Sequence, residues 1–111
     1  MTTPIRSDDR LLLLAIPATQ ELAALARVLI SGTVVVIGSR EEIAAAQPSM
    51  AEFHNVMFLE ASPDRIPWRG AGFTKILVPH HLKGLLPTIS NELQRVLAPG
   101  GEVKIVDGAF A

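Results

Sequence analysis

Short continuous apolar runs alternate along the chain with stretches in which apolar residues recur at helical spacing. The runs have the length and composition of buried strands, and they predict strands over residues 10–16, 33–37, 55–60, 73–78 and 102–106. Side chains alternate between the two faces of a strand. In the last strand, one face should therefore carry Val103 and Ile105, and the other Glu102, Lys104 and Val106.

Helix signals follow the first two strands. Thr19 is predicted to cap a first helix, and Gly32 stands where a helix C-terminus favours a residue with positive φ. Ser39 and Glu42 have the spacing of a capping box. The alanine-rich helix that they begin should end near Pro48.

A third helix is predicted between the fourth and fifth strands. One helical face carries Leu82, Leu85, Leu86, Ile89, Leu93, Val96 and Leu97. Because proline is tolerated only in the first turn of a helix, Pro87 places the start of the regular helix near Leu85 or Leu86. Residues 61–72 contain prolines and glycines and are predicted to form a loop.

The alternation of strands and helices predicts an α/β fold, with a mostly parallel five-stranded sheet and helices on both faces. A chain of 111 residues can bury one core. We expect a single domain over residues 10–111, preceded by a flexible arm of residues 1–9.

Composition excludes several functions. The formal net charge is −1 and no Lys/Arg cluster is present, so a nucleic-acid partner is not expected. With no cysteine, the chain can form neither disulfides nor thiolate metal sites. The apolar run 11–16 is too short to span a membrane, so we expect a cytoplasmic protein without a membrane partner. No phosphate-binding glycine motif occurs in the chain.

Three segments carry a family resemblance. They are LQRVLAPGGEVKIV over residues 93–106, the Ile66-Pro67-Trp68 segment followed by Gly72-Phe73, and VPHHL over residues 78–82. Together they resemble the class I, Rossmann-like S-adenosylmethionine-dependent methyltransferases, over roughly residues 10–107. The resemblance implies a three-layer sandwich with strand order 3-2-1-4-5, and ligand binding at the carboxyl ends of strands one and four.

The segments that would hold the cofactor in that family depart from its pattern here. The turn after the first strand, AIPATQ over residues 15–20, has no glycine, and Pro17 removes a backbone N–H. Gly38 stands where the family has an acidic residue for the ribose hydroxyls. Glu60-Ala61-Ser62 replaces an expected Asp near the adenine, and Thr74 replaces the Asp of the family's Phe-Asp pair.

Two hypotheses follow from these departures. In the first hypothesis, the chain has lost the ability to bind S-adenosylmethionine and has no cofactor. It then acts as a non-catalytic scaffold or partner-binding module. In the second, it binds S-adenosylmethionine weakly and methylates a small molecule. The cofactor contacts would then come from Ile16, Ala18, Gly38 and Ala61 through backbone groups, with Ser62 as a weak substitute for the missing Asp.

The resemblance also indicates an interaction surface. The family continues after the fifth strand with a sixth and a seventh strand, which this chain is expected to lack. The strand from Glu102 to Val106 would then be an edge that a partner could cover. We expect a homo-oligomer or a protein partner at this edge.

Two further positions allow alternative interpretations. His80 follows the fourth strand directly and is the one candidate for a catalytic proton carrier. His80 and His81 together are too few to specify a metal, and a loop leading into a helix, with one ring packed and one solvated, is the favoured interpretation. Trp68 could be a partner contact or could close the end of the core.

Overall fold

The computed structural model describes residues 4–106. They form one sheet of five strands in the order 3-2-1-4-5, in which every pair of neighbouring strands is parallel. The strands are β1 (Arg10–Leu13), β2 (Thr33–Gly38), β3 (Val56–Glu60), β4 (Phe73–Pro79) and β5 (Leu97–Val106). The predicted α/β fold and strand order are confirmed.

Three helices connect the strands. They are α1 (Thr19–Val28), α2 (Arg40–Ala46) and α3 (Leu86–Val96). A 3₁₀ turn, Gln47–Met50, extends α2, and a second one, His80–Leu85, precedes α3. No helix within residues 4–106 has both the length and the apolar character needed to cross a membrane.

The sheet has an apolar cluster on each face, so the molecule has three layers. The α1-side cluster consists of Leu11, Leu13, Leu22, Ala23, Leu25, Leu29, Val34, Val36, Met50 and Leu77. The α3-side cluster consists of Leu12, Leu14, Val35, Ile37, Ile66, Phe73, Ile76, Val78, Ile89, Leu93 and Val96. Successive residues of β1 and β2 therefore pack into opposite clusters, as the two-residue period of a strand requires.

The fifth strand is longer than the sequence predicts. It begins at Leu97 and includes Pro99 and Gly100, which the sequence pattern places in a turn. The strand passes through this segment because Gly100 adopts a φ of 79° and the pairing with β4 slips between Phe73 and Lys75. A glycine with positive φ is a common way to absorb such a bulge.

The first strand is shorter than predicted. It ends at Leu13, although Leu14 still donates a backbone hydrogen bond to Leu77 O at 3.3 Å. The chain then leaves the sheet towards α1, and the buried Pro17 has no N–H with which to extend the ladder. The predicted boundaries of β2, β3 and β4 are each displaced by one residue at one end.

Two predictions about the ends of α1 are wrong, one on its N-terminal cap and one on the role of Gly32. The residue before α1 is Ala18, and no side chain caps this helix, so Thr19 is its first residue rather than its cap. Gly32 does not adopt a positive φ. Its missing side chain instead allows the backbone carbonyl of Asp9 to approach closely, because a Cβ at position 32 would collide with that oxygen.

The capping box of α2 is confirmed. Glu42 N donates to Ser39 Oγ at 3.2 Å, and Ser39 N donates to Glu42 Oε1 at 2.8 Å. The regular part of the third helix begins at Leu86, as Pro87 requires. Leu85 is 43% exposed, so it does not belong to the buried face predicted for this helix.

The segment before β1 contacts the core. Ile5 packs against the α1-side cluster, and the side chain of Asp9 is buried. Asp9 Oδ2 accepts hydrogen bonds from Lys75 Nζ at 2.7 Å and from Arg6 N at 2.6 Å. Residues 1–3 of the predicted flexible arm and residues 107–111 lie outside the described residues, and the flexibility of residues 1–9 stays a prediction.

Candidate functional site

The residues predicted to hold a cofactor lie where β1, β2 and β3 end. Ile16 and Ala18 are in the turn between β1 and α1, Gly38 is the last residue of β2, and Ala61 follows β3 directly. Ala61 N donates to Gly38 O at 3.2 Å, so these two positions are adjacent. In an open parallel sheet, this carboxyl end is where ligands bind.

The side chain of Ile16 lies against Gly38. A Cβ added at position 38 would be 3.0 Å from Ile16 Cδ1 and 3.2 Å from Ile16 Cγ1. It would also be 3.3 Å from Glu42 Oε1. Ile16 and the carboxylate of the α2 capping box therefore crowd the space next to Gly38, and a side chain there would require them to shift by a few tenths of an ångström.

The Glu42 carboxylate has a structural partner. The Ser39 N–H, and after it the Ser39 hydroxyl, lower the pKa of Glu42 below its usual value and outweigh the opposing effect of burial. The side chain is thus an anion that holds the first turn of α2. Its exposed position keeps it in contact with solvent.

The other predicted cofactor positions make internal hydrogen bonds. The carbonyl of Ala18 accepts from the N–H groups of Glu21 and Leu22, both at 3.0 Å, at the start of α1. Ser62 is exposed, and its hydroxyl donates to Asp64 Oδ1 at 2.5 Å. The Ser62 carbonyl accepts from Arg65 N at 3.1 Å, which closes a tight turn.

His80 begins the 3₁₀ turn that follows β4, and both His80 and His81 are exposed. Within residues 4–106, no group of three or more His, Asp or Glu side chains is arranged to bind a metal ion. The structure therefore places His80 at the carboxyl end of the strands, directly after β4. No metal-binding cluster of described residues surrounds it.

Thr74 lies at the other end of the strands, near the amino ends of β1 and β4. It is the second residue of β4, and its hydroxyl donates to Asp9 Oδ1 at 2.7 Å and accepts from Arg10 N at 2.9 Å. Pro79, at the carboxyl end of β4, is five positions further along the strand than Thr74, which is roughly 16 Å. The expectation that Thr74 replaces a cofactor contact is wrong, because this position holds the amino ends of β1 and β4 together.

A polar clamp on α3 was missed by the sequence analysis. Glu92 Oε2 accepts from Ile66 N at 2.6 Å, while Arg95 donates to the carbonyls of Ile66 at 2.7 Å and Trp68 at 2.6 Å. The Arg95 guanidinium, and after it the Ile66 N–H, lower the pKa of Glu92 to about 2. Glu92 and Arg95 are three residues apart on one helical face, which is a signal visible in the sequence.

The clamp fixes the position of Trp68. The Trp68 ring packs on Phe73 with 4.8 Å between ring centroids. It also lies over Gly72, where a Cβ would collide with the indole. Of the two interpretations of Trp68, the structure supports the one in which it closes the end of the α3-side cluster.

Three cavities are found among the described residues, and one of them includes Glu60, which is paired with Gly38 and precedes Ala61. The largest, about 1010 Å³, is an open groove around β3 that Phe53, Met57 and Phe58 help to line. A cavity of about 310 Å³ lies between α2 and the end of β3, and one of about 210 Å³ lies at the amino ends of β4 and β5. None of these three is lined by Ile16, Ala18, Gly38, Ala61, Ser62 or His80.

Comparison with solved structures identifies the fold. The chain superimposes on a SAM-dependent methyltransferase from Aquifex aeolicus with a TM-score of 0.81 and 23% identity, over 94% of this chain and 58% of the other. The fold is that of the class I methyltransferases. The family resemblance of the sequence is confirmed at the level of fold.

Two further methyltransferase-fold structures are similar. The cyclase SpnF gives a TM-score of 0.78 at 22% identity, over 91% of this chain and 39% of the other. PKMT2 from Rickettsia typhi, in complex with AdoHcy, gives 0.75 at 15% identity, over 92% and 21%. This chain thus spans less than two thirds of the length of each of the three. No protein-family model matches the chain, and no curated protein does.

Proposed function

We propose that the protein is a cytoplasmic, non-catalytic domain with a methyltransferase fold, which does not bind S-adenosylmethionine and acts by binding a protein partner. The observation that carries this proposal is the contact between Ile16 and Gly38. A side chain at position 38 would approach Ile16 to 3.0 Å. A ribose would be poorly held at the end of β2, because Gly38 offers no side-chain acceptor and Ile16 crowds the adjoining space.

The absence of an acidic side chain at position 38 should lower the binding free energy of a ribose-containing ligand substantially. Hydrogen bonds to a charged group contribute about 1.5–3 kcal/mol each, so losing one acidic acceptor weakens binding by roughly ten- to a hundredfold. Glu42 is the nearest carboxylate to position 38. Its Oε1 already accepts from Ser39 N at 2.8 Å, so the side chain is held in the cap of α2 and not directed to a ligand at Gly38.

Backbone groups give little compensation. The carbonyls of Ala18 and Gly38 and the N–H of Ala61 all take part in hydrogen bonds within the chain. A ligand that used the N–H of Ala61 would have to break its bond to Gly38 O, and the Ala18 carbonyl already accepts two hydrogen bonds at the start of α1. These hydrogen bonds argue against loose cofactor binding through Ala18 and Ala61, and the short turn formed by Ser62 argues against an adenine contact there.

The second candidate function is methyl transfer from S-adenosylmethionine to a small molecule. The structural neighbours favour it, since one is a SAM-dependent methyltransferase and another is in complex with AdoHcy. A neighbour named as a cyclase has the same fold, however, so the fold does not by itself specify the reaction. In this alternative, His80 would be the residue to test as a proton carrier.

The partner surface that we propose is the outer edge of the sheet at β5. Within residues 4–106, no strand lies on the side of β5 away from β4. Backbone N–H and C=O groups along such an edge can pair with a strand of another chain. A homo-oligomer or a protein partner would cover this edge.

Thermal unfolding with AdoHcy separates the two functions. If the chain bound AdoHcy with a micromolar Kd, a millimolar concentration would stabilise it by about 4 kcal/mol. That stabilisation would raise Tm by roughly 15 °C in a domain of this size. We expect no change in Tm beyond measurement error, while the Aquifex aeolicus methyltransferase serves as the positive control. A saturable rise in Tm of this chain would overturn the non-catalytic proposal.

A further inference from the structure

The second half of β5 is a regular sheet edge. Pro99 has no N–H and Gly100 has a φ of 79°, so the first half of the strand is poorly suited to pairing. From Glu102 to Val106, the strand keeps an uninterrupted register with residues 75–79 of β4. This half therefore has the geometry that another strand can pair with.

The direction of the backbone groups follows from hydrogen bonds elsewhere in the sheet. Val34 packs on the α1 side, and its N–H points towards β3, donating to Asn55 O at 2.9 Å. Leu14 packs on the α3 side, and its N–H points the other way, donating to Leu77 O of β4 at 3.3 Å. Because all strands are parallel, residues facing α3 direct their N–H and C=O groups towards the β5 end of the sheet.

The same rule applied to β5 identifies its outward-pointing residues. Val103 packs against the α3-side cluster, whereas Val106 packs against the α1-side cluster. Val103 and its same-face neighbour Ile105 therefore direct their N–H and C=O groups away from β4. Glu102 and Lys104 direct theirs towards β4, and their side chains are on the α1 face.

The charges of β5 complement those of a second copy in one antiparallel register. If a two-fold axis passes beside Val103, Glu102 of each copy lies opposite Lys104 of the other. An axis beside Glu102 or Lys104 would instead place two like charges opposite each other. In the Val103 register, the charged residues occupy non-hydrogen-bonded positions, where opposing side chains approach most closely.

We propose that the partner is a second copy of this chain, bound through antiparallel pairing of the two β5 strands about Val103. The two Val103 residues would exchange both backbone hydrogen bonds, and Ile105 of each copy would lie opposite Gly101 of the other. The result is an isologous dimer with one continuous sheet of ten strands. This inference rests on the proposed role in partner binding, but it does not depend on the state of the cofactor site.

Charge reversal tests the register. Glu102→Lys or Lys104→Glu alone places like charges at both symmetry-related pairs, and we expect each to raise the dimer Kd by about tenfold or more. The double variant Glu102→Lys/Lys104→Glu restores both pairs and should restore the wild-type Kd. Sedimentation equilibrium across a wide concentration range measures all four proteins, and circular dichroism verifies their folding.

Each outcome of this experiment decides the proposal. A wild-type chain that stays monomeric at millimolar concentration overturns it. A dimer that the single variants leave unchanged, or that the double variant fails to restore, also overturns it. Absence of a dimer together with absence of AdoHcy binding would refute self-pairing and leave the loss of cofactor binding intact, so the two failures are distinguishable.

Disulfide trapping provides an independent test, because the chain has no cysteine of its own. Glu102→Cys and Lys104→Cys proteins are oxidised separately and as an equimolar mixture. Residues directly opposite at a non-hydrogen-bonded position have Cα atoms about 4.5 Å apart, within the range of a disulfide. We expect a mixed disulfide in excess of either homodimer. Equal yields in all three reactions would contradict the Val103 register.

Discussion

The contact between Ile16 and Gly38 predicts a measurable coupling between the two positions. In Gly38→Ala, the added methyl lies 3.0 Å from Ile16 Cδ1, closer than an ordinary van der Waals contact. Overpacking of this kind typically costs about 1–3 kcal/mol, and replacing a glycine returns about 0.4–1 kcal/mol by restricting the unfolded chain. The gain offsets part of the cost, so the effect of the single variant does not isolate the contact with Ile16.

A double-mutant cycle removes this ambiguity. In an Ile16→Ala background, the contact with Ile16 is gone, while the contact with Glu42 Oε1 at 3.3 Å is common to both backgrounds. Gly38→Ala should therefore be more favourable there than in the wild-type background by about 1 kcal/mol. For a domain of this size, that difference corresponds to a Tm change of roughly 4 °C.

Urea and thermal unfolding, followed by circular dichroism, measure the four proteins of the cycle. Gly84→Ala provides a matched control, because a Cβ at Gly84 would meet no atom within 4 Å. Its effect should be the same with Ile16 and with Ala at position 16. A Gly38–Ile16 coupling as small as that of the Gly84 control would refute the placement of Ile16 against the end of β2.

Two further predictions concern charged pairs that hold the fold. Lys75→Met leaves the carboxylate of Asp9, whose side chain is 5% exposed, without its partner at 2.7 Å, and should cost about 3–5 kcal/mol in urea unfolding. The double variant Asp9→Asn/Lys75→Met should recover most of that loss, and no recovery would contradict the pairing. The pKa of Glu92 falls from 4.5 to about 2, chiefly through Arg95. Its stabilising contribution is therefore complete above its ordinary pKa and is lost as the pH falls through the lower value. Thermal unfolding at pH values over that interval should show a steeper loss for wild type than for Glu92→Gln, and parallel curves would refute the assignment.

The sheet was predictable from the sequence because its signals are local and mutually consistent. Apolar runs such as 33–37 alternate with capped helices, and short connections allow few ways of joining parallel strands. The start of β5 was not predictable, since Pro99 and Gly100 are typical turn residues. Only the pairing with β4 shows that the strand passes through them.

At the candidate site, the sequence could not predict how side chains from separate segments pack against one another. The sequence marks Pro17 and Gly38 as departures from the methyltransferase pattern, but it does not show that the Ile16 side chain lies against Gly38. Thr74 was misplaced for a related reason, because alignment to a motif gives a residue's order along a strand and not its distance from the ligand edge. Both facts depend on how separate segments pack together.

Chemical-shift mapping by NMR tests the central claim, that the end of β2 no longer accommodates an adenosyl group. The backbone amide signals of Ile16 and Gly38 are followed in uniformly ¹⁵N-labelled protein as AdoHcy is added to millimolar concentration. We expect neither signal to move. Saturable shifts at both positions would contradict the central claim.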